Sequence, residues 1–561
     1  MSGPGPVGGD ARGGTRAGWD RPPVDNDVHP TDRSATLPHR GTRPRTRGLE
    51  RGPQVVHLVG VGGAGMSGLA RLLLARGHRV TGSDRSESTT LEALRALGAE
   101  VWAGHDGARL GRPDLVVAST AIRATNPELV AARILDIPVL GRAQLLALLM
   151  AGRDGIAVAG THGKTTTTGM VVAILEAAGL DPSYAVGGDF KSSGVNAAAG
   201  SGPHFVAEAD ESDGSFLELD PTVAVVTNVE ADHLDHWGDL AAVTAAFRSF
   251  VGRLPPDGTA VLCADDPGAL GLADVVRGQV VTYGFAAGAE VRGEVLALDA
   301  WSSRFTVIAA ERPLGQMTLA VPGRHNVQNA LAATAAALAV GAPFDAAVAG
   351  LAGFTGAARR FHLRAEVGGV TVIDDYAHNP PKVAAALAAA RLGPWKRVVA
   401  VFQPHLYSRT RLFAADFGRA LAAADLAVVT DVYAAREDPE PGIDGALVAG
   451  AAKHARPDLD CVYEPERSAL AARVASLVEP GDLVLTLGAG DITTLADELA
   501  PLLGSPGGGG AGGEGATGAE AVDSPGSVPD RGAVDSPGPP PGRSATLPPR
   551  GAQRPAEGGD P

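Results

Sequence analysis

The segment from Gly160 to Thr167 has the residues of a phosphate-binding loop. It reads Gly-Thr-His-Gly-Lys-Thr-Thr-Thr and follows the apolar run Ile156–Ala159. Amides at the start of a helix can bind phosphate oxygens, Lys164 can neutralise their charge, and the hydroxyl of Thr165 can bind Mg²⁺. The segment ends like a P-loop, although two residues rather than the usual four separate its glycines. It predicts an ATP site, and the alternative is a structural turn.

Two further segments of the same region carry possible ligands for a divalent cation. Glu-Ala-Asp-Glu-Ser-Asp begins at Glu208, after an apolar segment, and its carboxylates would repel one another without a cation. His233 lies between two aspartates, just after the strand-like run Val223–Val226. Hard oxygen ligands suit Mg²⁺, and loops after parallel strands are where α/β sheets bind ligands. The alternatives are a solvated acidic turn and a structural histidine.

A second glycine-rich segment, from Gly60 to Ser67, follows the apolar run Val55–Val59. Glycines at this position let the backbone approach a pyrophosphate at a helix N-terminus. Asp84 ends the next strand-like segment, where a dinucleotide domain binds ribose. This signal alone leaves a tight turn, an NAD site and a UDP site open.

Composition limits the class of protein. The chain has 561 residues, which indicates about three domains, and its formal net charge of −15 argues against non-specific nucleic-acid binding. The two cysteines, Cys263 and Cys461, exclude a disulfide framework and fit a reducing compartment. Neither a secretion signal nor an apolar stretch of spanning length is visible, so we expect a soluble cytoplasmic protein without membrane insertion.

Strand-like and helix-like segments alternate along the chain, which predicts three α/β domains with parallel sheets covered on both faces. Predicted strands are Val55–Val59, Arg79–Gly82, Leu115–Ala118, Val139–Leu140, Gly155–Ala159, Val370–Ile373, Val398–Phe402, Ala427–Thr430 and Leu483–Leu487, and predicted helices include Met66–Ala75, Glu128–Leu135 and Lys164–Ala178. The predicted domains are residues 53–150, 151–356 and 357–504.

Both ends of the chain, residues 1–52 and 505–561, are dominated by small and polar residues and predicted to be disordered. The phrase Arg-Ser-Ala-Thr-Leu-Pro occurs in both ends, at Arg33 and Arg543. Such recurrence fits sequence drift better than a docking motif.

These motifs, taken in order, resemble the Mur ligase family. The resemblance continues with Pro-Gly-Arg-His-Asn at Pro322, Arg-Arg-Phe at Arg359, Asp-Asp-Tyr-Ala-His at Asp374, Phe-Gln-Pro-His at Phe402 and Gly-Ala-Gly-Asp-Ile at Gly488, and it spans residues 54–495. It implies an N-terminal Rossmann-like domain that binds a UDP-sugar, a central P-loop-type ATPase domain and a C-terminal Rossmann-like domain that binds an amino acid.

The resemblance also implies the reaction. Within the family, the first loop and the acidic run are most similar to the alanine-adding member. The implied activity is ATP- and Mg²⁺-dependent ligation of L-alanine to the lactyl carboxylate of UDP-N-acetylmuramate, in peptidoglycan synthesis. The near relative is the recycling ligase, which attaches whole peptides to the same sugar nucleotide. The choice among L-alanine, L-serine and glycine stays open, as does the oligomeric state.

Residue roles follow from the same resemblance. The implied UDP-sugar site is Gly62, Gly63, Gly65, Met66, Ser67 and Asp84. The implied ATP site is Gly160, Thr161, His162, Gly163, Lys164, Thr165, Thr166, His325, Asn326, Asn329, Arg360 and Asp375. The implied metal site is Thr165, Glu208 and His233, and the implied amino-acid pocket is Tyr376, His378, His405 and Arg409. The implied catalytic residues are Lys164, Glu208, His233, Arg360, Asp375 and His378.

The chain departs from its relatives at two points near the amino-acid pocket. Relatives usually have Gly-His-His-Pro where this chain has Ala377-His378-Asn379-Pro380, and they often have arginine where it has Leu406. Arg409 is therefore the better candidate for binding the carboxylate of the amino acid.

Three alternative functions explain fewer of these motifs. A nicotinamide-dependent oxidoreductase would explain the first loop and Asp84 but leaves Lys164 and the acidic run without a role. A non-catalytic UDP-sugar-binding scaffold would not need Lys164, Glu208 and His233. A folate or cyanophycin-type ligase lacks the full set of motifs.

Overall fold

The computed structural model describes Leu49 and residues 52–188, 194–356, 359–435 and 437–504. Three β-sheets with flanking helices follow one another along this part of the chain, which confirms the predicted α/β class. The ends predicted to be disordered, apart from Leu49 and Gly52, lie outside the described residues. No helix in the described ranges is long and apolar enough to cross a membrane.

The first sheet has five parallel strands in the order β3-β2-β1-β4-β5. Its elements are β1 (Val55–Val59), α1 (Ala64–Ala75), β2 (Arg79–Asp84), α2 (Thr89–Ala96), β3 (Glu100–Ala103), β4 (Leu115–Ala118), α3 (Pro127–Ile134), β5 (Val139–Gly141) and α4 (Arg142–Met150). The strand order reverses between β1 and β4, so the glycine-rich loop after β1 lies beside the crevice where such sheets bind ligands.

The second sheet has ten strands in the order β15-β14-β13-β12-β11-β10-β6-β9-β7-β8. Its strands are β6 (Asp154–Ala159), β7 (Ser183–Ala185), β8 (Ala197–Ala198), β9 (His204–Glu208), β10 (Val223–Val226), β11 (Thr259–Cys263), β12 (Gln279–Gly284), β13 (Val291–Leu298), β14 (Ser303–Ala309) and β15 (Arg312–Leu319). Its helices are α5 (Lys164–Ala177), α6 (Leu234–Trp237), α7 (Leu240–Val251), α8 (Pro267–Leu270), α9 (Arg324–Ala339) and α10 (Phe344–Ala352). Strands β6, β9 and β10 are buried and end in the polar segments singled out from the sequence.

The third sheet has six strands in the order β16-β17-β21-β18-β19-β20. Its strands are β16 (His362–Val367), β17 (Val370–Asp375), β18 (Val398–Phe402), β19 (Leu426–Thr430), β20 (Asp460–Glu464) and β21 (Leu483–Leu487). Its helices are α11 (Pro380–Ala390), α12 (Tyr407–Leu421), α13 (Gly445–Ala455), α14 (Leu470–Ala475) and α15 (Leu495–Gly504). Two hydrophobic clusters cover its two faces.

The prediction of parallel sheets holds for most strands and is wrong at three edges. Strands β13, β14 and β15 form an antiparallel meander, β8 pairs antiparallel with β7, and β16 pairs antiparallel with β17. The connections within the meander and between β16 and β17 are too short for the crossover that parallel pairing requires. Each of the three sheets falls inside one predicted domain range, and the domain boundaries themselves remain a prediction.

Candidate active site

The loop between β6 and α5 has the geometry of a phosphate site. The first intrahelical hydrogen bond of α5 runs from Thr167 N to Gly163 O, at 2.9 Å, so the amides before it have no acceptor within the helix. Gly163 has φ +84°, a left-handed conformation that favours glycine. The amide of His162 donates to Asn228 Oδ1 at 2.8 Å, which fixes the loop to the segment after β10.

The ammonium group of Lys164 lies close to the carboxylates of the acidic run that begins at Glu208. Its Nζ is 2.7 Å from Glu211 Oε2 and donates to Gly160 O at 2.8 Å. The two side chains of this ion pair are 13% and 2% exposed. Burial alone would lower the pKa of Lys164, but the charges of Glu211, Asp210 and Glu208 raise it above its ordinary value. The amine is therefore an ammonium ion at neutral pH.

Two of the three predicted metal ligands are in contact. Glu208 Oε1 accepts from Thr165 Oγ1 at 2.9 Å, and Glu208 Oε2 accepts from Gly187 N at 2.6 Å. His233 has a different neighbourhood, because its Nε2 lies 3.8 Å from Glu211 Oε1 and 3.9 Å from Asp232 Oδ2. The described residues contain no group of three or more His, Cys, Asp or Glu side chains arranged to hold a metal ion.

A cavity of about 290 Å³ lies between the phosphate loop and the third sheet. Eleven of the twelve predicted ATP-site residues line it, together with Glu208, and only Gly160 does not. The eleven are Thr161, His162, Gly163, Lys164, Thr165, Thr166, His325, Asn326, Asn329, Arg360 and Asp375.

Polar groups of α9 and of the third sheet line the rest of this cavity. Asp375 accepts from Phe361 N at 2.7 Å; burial raises the pKa of Asp375, and the charge of Arg360 opposes that rise. His325 has its pKa lowered to about 4, first by burial and then by Arg360. Asn329 Nδ2 donates to Asn326 Oδ1 at 3.3 Å. The cavity is therefore lined by amide groups from α9 and by a cation and a carboxylate from the third sheet.

The four residues predicted to bind the amino acid come from the third sheet and lie outside this cavity. Tyr376 and His378 have ring centroids 5.0 Å apart, and His378 and His405 have theirs 6.0 Å apart. Arg409 Nη2 is 3.5 Å from Oδ1 of Asp232, a residue of the central sheet's loop. Burial takes the pKa of His378 well below its ordinary value, so its ring is neutral at pH 7.

The contacts of four of the six residues predicted to bind the UDP-sugar show where their side chains or amides lie. Asp84 Oδ2 accepts from Gly62 N at 2.8 Å, so the side chain of Asp84 contacts the first glycine-rich loop. Met66 is 1% exposed and packs in the core, and Ser67 Oγ donates to Ala64 O at 3.0 Å. The side chains of Met66 and Ser67 therefore face the protein interior.

Three charged residues near these sites are not among the site residues predicted from the sequence. Glu211 is the partner of Lys164, and Arg142 Nη2 lies 4.0 Å from Asp210 Oδ2 while its side chain packs on Gly65. Lys382, in the first turn of α11, lines the cavity. The acidic run gave a signal for Glu211, whereas a lysine or arginine at a helix start gives none.

Three family models match the chain in sequence order. They are "Mur ligase family, catalytic domain" over residues 55–154, "Mur ligase middle domain" over residues 158–337 and "Mur ligase, glutamate ligase domain" over residues 359–490.

Two curated relatives are named UDP-N-acetylmuramate–L-alanine ligase. The one from Kineococcus radiotolerans is 55% identical over 456 residues, which are 80% of this chain and 96% of the relative. The one from Thermobifida fusca is 49% identical over 461 residues and covers 80% and 96%.

Solved structures agree with these relatives. The UDP-N-acetylmuramate-alanine ligase of Thermotoga maritima superposes with a TM-score of 0.68 and 30% identity, over 80% of this chain and 98% of that one. A murein peptide ligase from Psychrobacter arcticus gives a TM-score of 0.61 and 25% identity, over 81% and 100%.

Proposed function

The chain belongs to the Mur ligase family, and on that premise we propose that it joins L-alanine to the lactyl carboxylate of UDP-N-acetylmuramate. The products are UDP-N-acetylmuramoyl-L-alanine, ADP and phosphate, and the reaction is a step of peptidoglycan synthesis. One observation carries the proposal: the phosphate loop, Glu208 and the third sheet's Arg360 and Asp375 line a single cavity.

The reaction has two steps. An oxygen of the lactyl carboxylate attacks the γ-phosphorus of ATP, a new O–P bond forms, the bond to the bridging oxygen breaks, and ADP leaves. The amine of L-alanine then attacks the acyl carbon, the C–O bond to phosphate breaks, and the nitrogen loses a proton. The protein mainly aligns anions that repel one another and neutralises the transferring phosphoryl group.

The residues of the cavity divide this work. The amides of residues 163–166 and the ammonium of Lys164 bind phosphate oxygens. Arg360 adds a second cation from the third domain. We assign the adenine contacts to Asn326 and Asn329, because both lie on α9 and line the cavity, and their amide groups can donate and accept hydrogen bonds.

Magnesium fits the oxygen groups present. Thr165 and Glu208 present their oxygens 2.9 Å apart at the phosphate loop, and Mg²⁺ is usually bound by one or two protein oxygens plus substrate phosphates. When bound, the ion neutralises phosphate charge. We assign Thr165 and Glu208 as its protein ligands and keep His233 as a third candidate on the strength of its place beside Glu211.

The second substrate enters beside the third sheet. His378 donates from Nδ1 to Tyr376 O at 2.8 Å, which fixes the ring orientation and leaves Nε2 as an acceptor. Arg409 is the carboxylate-binding candidate, since it is a partly buried guanidinium whose described partner, Asp232, is itself a carboxylate. The two cysteines are buried and unpaired, which supports a reducing compartment, and we propose the cytoplasm.

Phosphate release tests the proposal. The purified chain with ATP and Mg²⁺ is given UDP-N-acetylmuramate and, in separate reactions, L-alanine, L-serine, glycine or the peptide substrate of the recycling enzyme. We expect release that requires the sugar nucleotide and is fastest with L-alanine. Release only with the peptide would assign the recycling activity instead. An NADH absorbance change without ADP formation would overturn the proposal.

A further inference from the structure

We propose that Lys382 is a phosphate-binding residue of the third domain, whose ammonium group contacts the terminal phosphates of the nucleotide in the cavity that Lys164 also lines. The inference rests on the proposed function and deepens it, since it adds a group to the nucleotide site that none of the matched motifs contains.

The first turn of α11 directs Lys382 into the cavity. Asn379 caps this helix, and its Oδ1 accepts from Lys382 N at 3.2 Å. The same side chain donates from Nδ2 to Asp232 Oδ2, at 3.1 Å, in the loop after β10. The start of α11 is thereby attached to the segment that also binds the phosphate loop. Lys382 lines the cavity together with Lys164 and Arg360.

Lys382 differs from Lys164 and Arg409 in its ion pairs. Among the described residues, no carboxylate lies within 4.0 Å of the ammonium group of Lys382, whereas Lys164 and Arg409 each have one. The charged and titratable groups that act on it, or that it acts on, are Arg360, Lys164, Asp232, Glu211, Glu230, His162 and His378. A partly buried ammonium without a counter-ion is unfavourable, and an anion in the cavity relieves it.

The charges around Lys382 favour a role in anion binding over a role as the base that accepts the proton of L-alanine. Burial, followed by the charges of Arg360 and Lys164, lowers the pKa of Lys382 to about 7. A nucleotide triphosphate brings several negative charges into the same cavity, and nearby negative charge favours the ammonium form. Lys382 is therefore charged when the nucleotide is bound, and the binding step takes up a proton.

Calorimetry on the full-length chain tests this directly. Binding of the non-hydrolysable analogue AMP-PNP with Mg²⁺ is measured at pH 7.5 in two buffers of different ionisation enthalpy. A pKa of about 7 leaves the group mostly neutral at that pH, so the natural chain takes up roughly 0.8 of a proton. Lys382→Arg keeps the affinity within a few-fold but takes up none, because guanidinium is always charged. Lys382→Met takes up none and binds about 10- to 100-fold more weakly.

Lys453→Met is the matched control, because Lys453 is exposed on α13 and does not line the cavity. It leaves affinity and proton uptake unchanged. If Lys382→Met keeps the nucleotide affinity and the proton uptake of the unsubstituted chain, another group such as His162 takes up the proton, and the inference is overturned. If Lys382→Met does not fold, proton uptake that persists in Lys382→Arg overturns it equally. A natural chain that binds no nucleotide would instead contradict the proposed function.

Discussion

Replacement of Lys164 by methionine separates the structural and the chemical role of this lysine. The ammonium lies 2.7 Å from Glu211 Oε2, and the two side chains are only 13% and 2% exposed. Removal of one partner from a buried ion pair leaves an uncompensated charge and typically costs about 3–5 kcal/mol. We therefore expect Lys164→Met to lower the free energy of unfolding by roughly that amount and also to abolish turnover.

A second substitution restores stability without restoring activity. In Lys164→Met/Glu211→Gln both charges are gone, and pairs replaced together are often close to neutral for stability. We expect the double variant to recover most of the loss, a coupling of about 2–4 kcal/mol by the double-mutant cycle. ADP release should stay about 10²–10³-fold below that of the natural chain or lower, since the phosphate cation is still missing.

Urea denaturation and an ADP-release assay give the two readouts on the same preparations. Glu211→Gln alone completes the cycle. Additive stability effects of the two substitutions would show that the pair is not coupled as the distances imply. Natural ADP release by either Lys164 variant would remove the phosphate-loop assignment.

Three more predictions follow from single contacts. Gly160→Ala should lower the free energy of unfolding by more than about 2 kcal/mol, and Gly179→Ala by about 1 kcal/mol, as measured by urea denaturation. Both glycines have positive φ, but only at Gly160 does the side chain of Thr227 lie where a Cβ would be. Trp301→Ala should cost about 1–2 kcal/mol in the same measurement, because its ring packs edge-on against two aromatic rings of the third domain. Burial alone would raise the pKa of Asp232, but His233 and Arg409 lower it by a larger amount, so the pKa is about 2. The ionised carboxylate should therefore add about 2 kcal/mol to the free energy of unfolding above pH 4, and this contribution should be lost as the pH falls through 2. The unsubstituted chain should accordingly be more stable than Asp232→Asn above pH 4, and the difference should disappear at the lower pH.

The sequence predicts what short segments determine by themselves. Strands β1, β4, β10, β18 and β21 begin and end where their apolar runs do. Glycine spacing and the following helix pattern are sufficient for the phosphate loop, because its amides come from the local backbone. The list of cavity residues came from the family resemblance, and the structure brings those residues together.

Features that depend on distant contacts were not predictable. The antiparallel strands β13 to β15 alternate buried and exposed residues and lie at the sheet edge, where the chain pattern differs from the buried parallel strands. Lys382 lies in the first turn of a helix, a position that by itself indicates no ligand, and only the approach of α11 to the central loop places it in the cavity. Met66 looked available in the loop motif, but its helical position turns its side chain into the core.

The hydrogen bonds after β10 explain why the two halves of the nucleotide site should respond to each other. Thr161 N donates to Asn228 O at 3.0 Å, and Glu230 N donates to Thr161 Oγ1 at 2.9 Å, so the segment after β10 is tied to the phosphate loop. Two residues further on, Asp232 accepts from Asn379 and lies within ion-pair distance of Arg409, which belong to the third domain. A shift of the phosphate loop on nucleotide binding must therefore move or strain the contacts that position α11 and α12. Coupling of this kind needs no long-range relay, because a single segment of five residues contacts both sides.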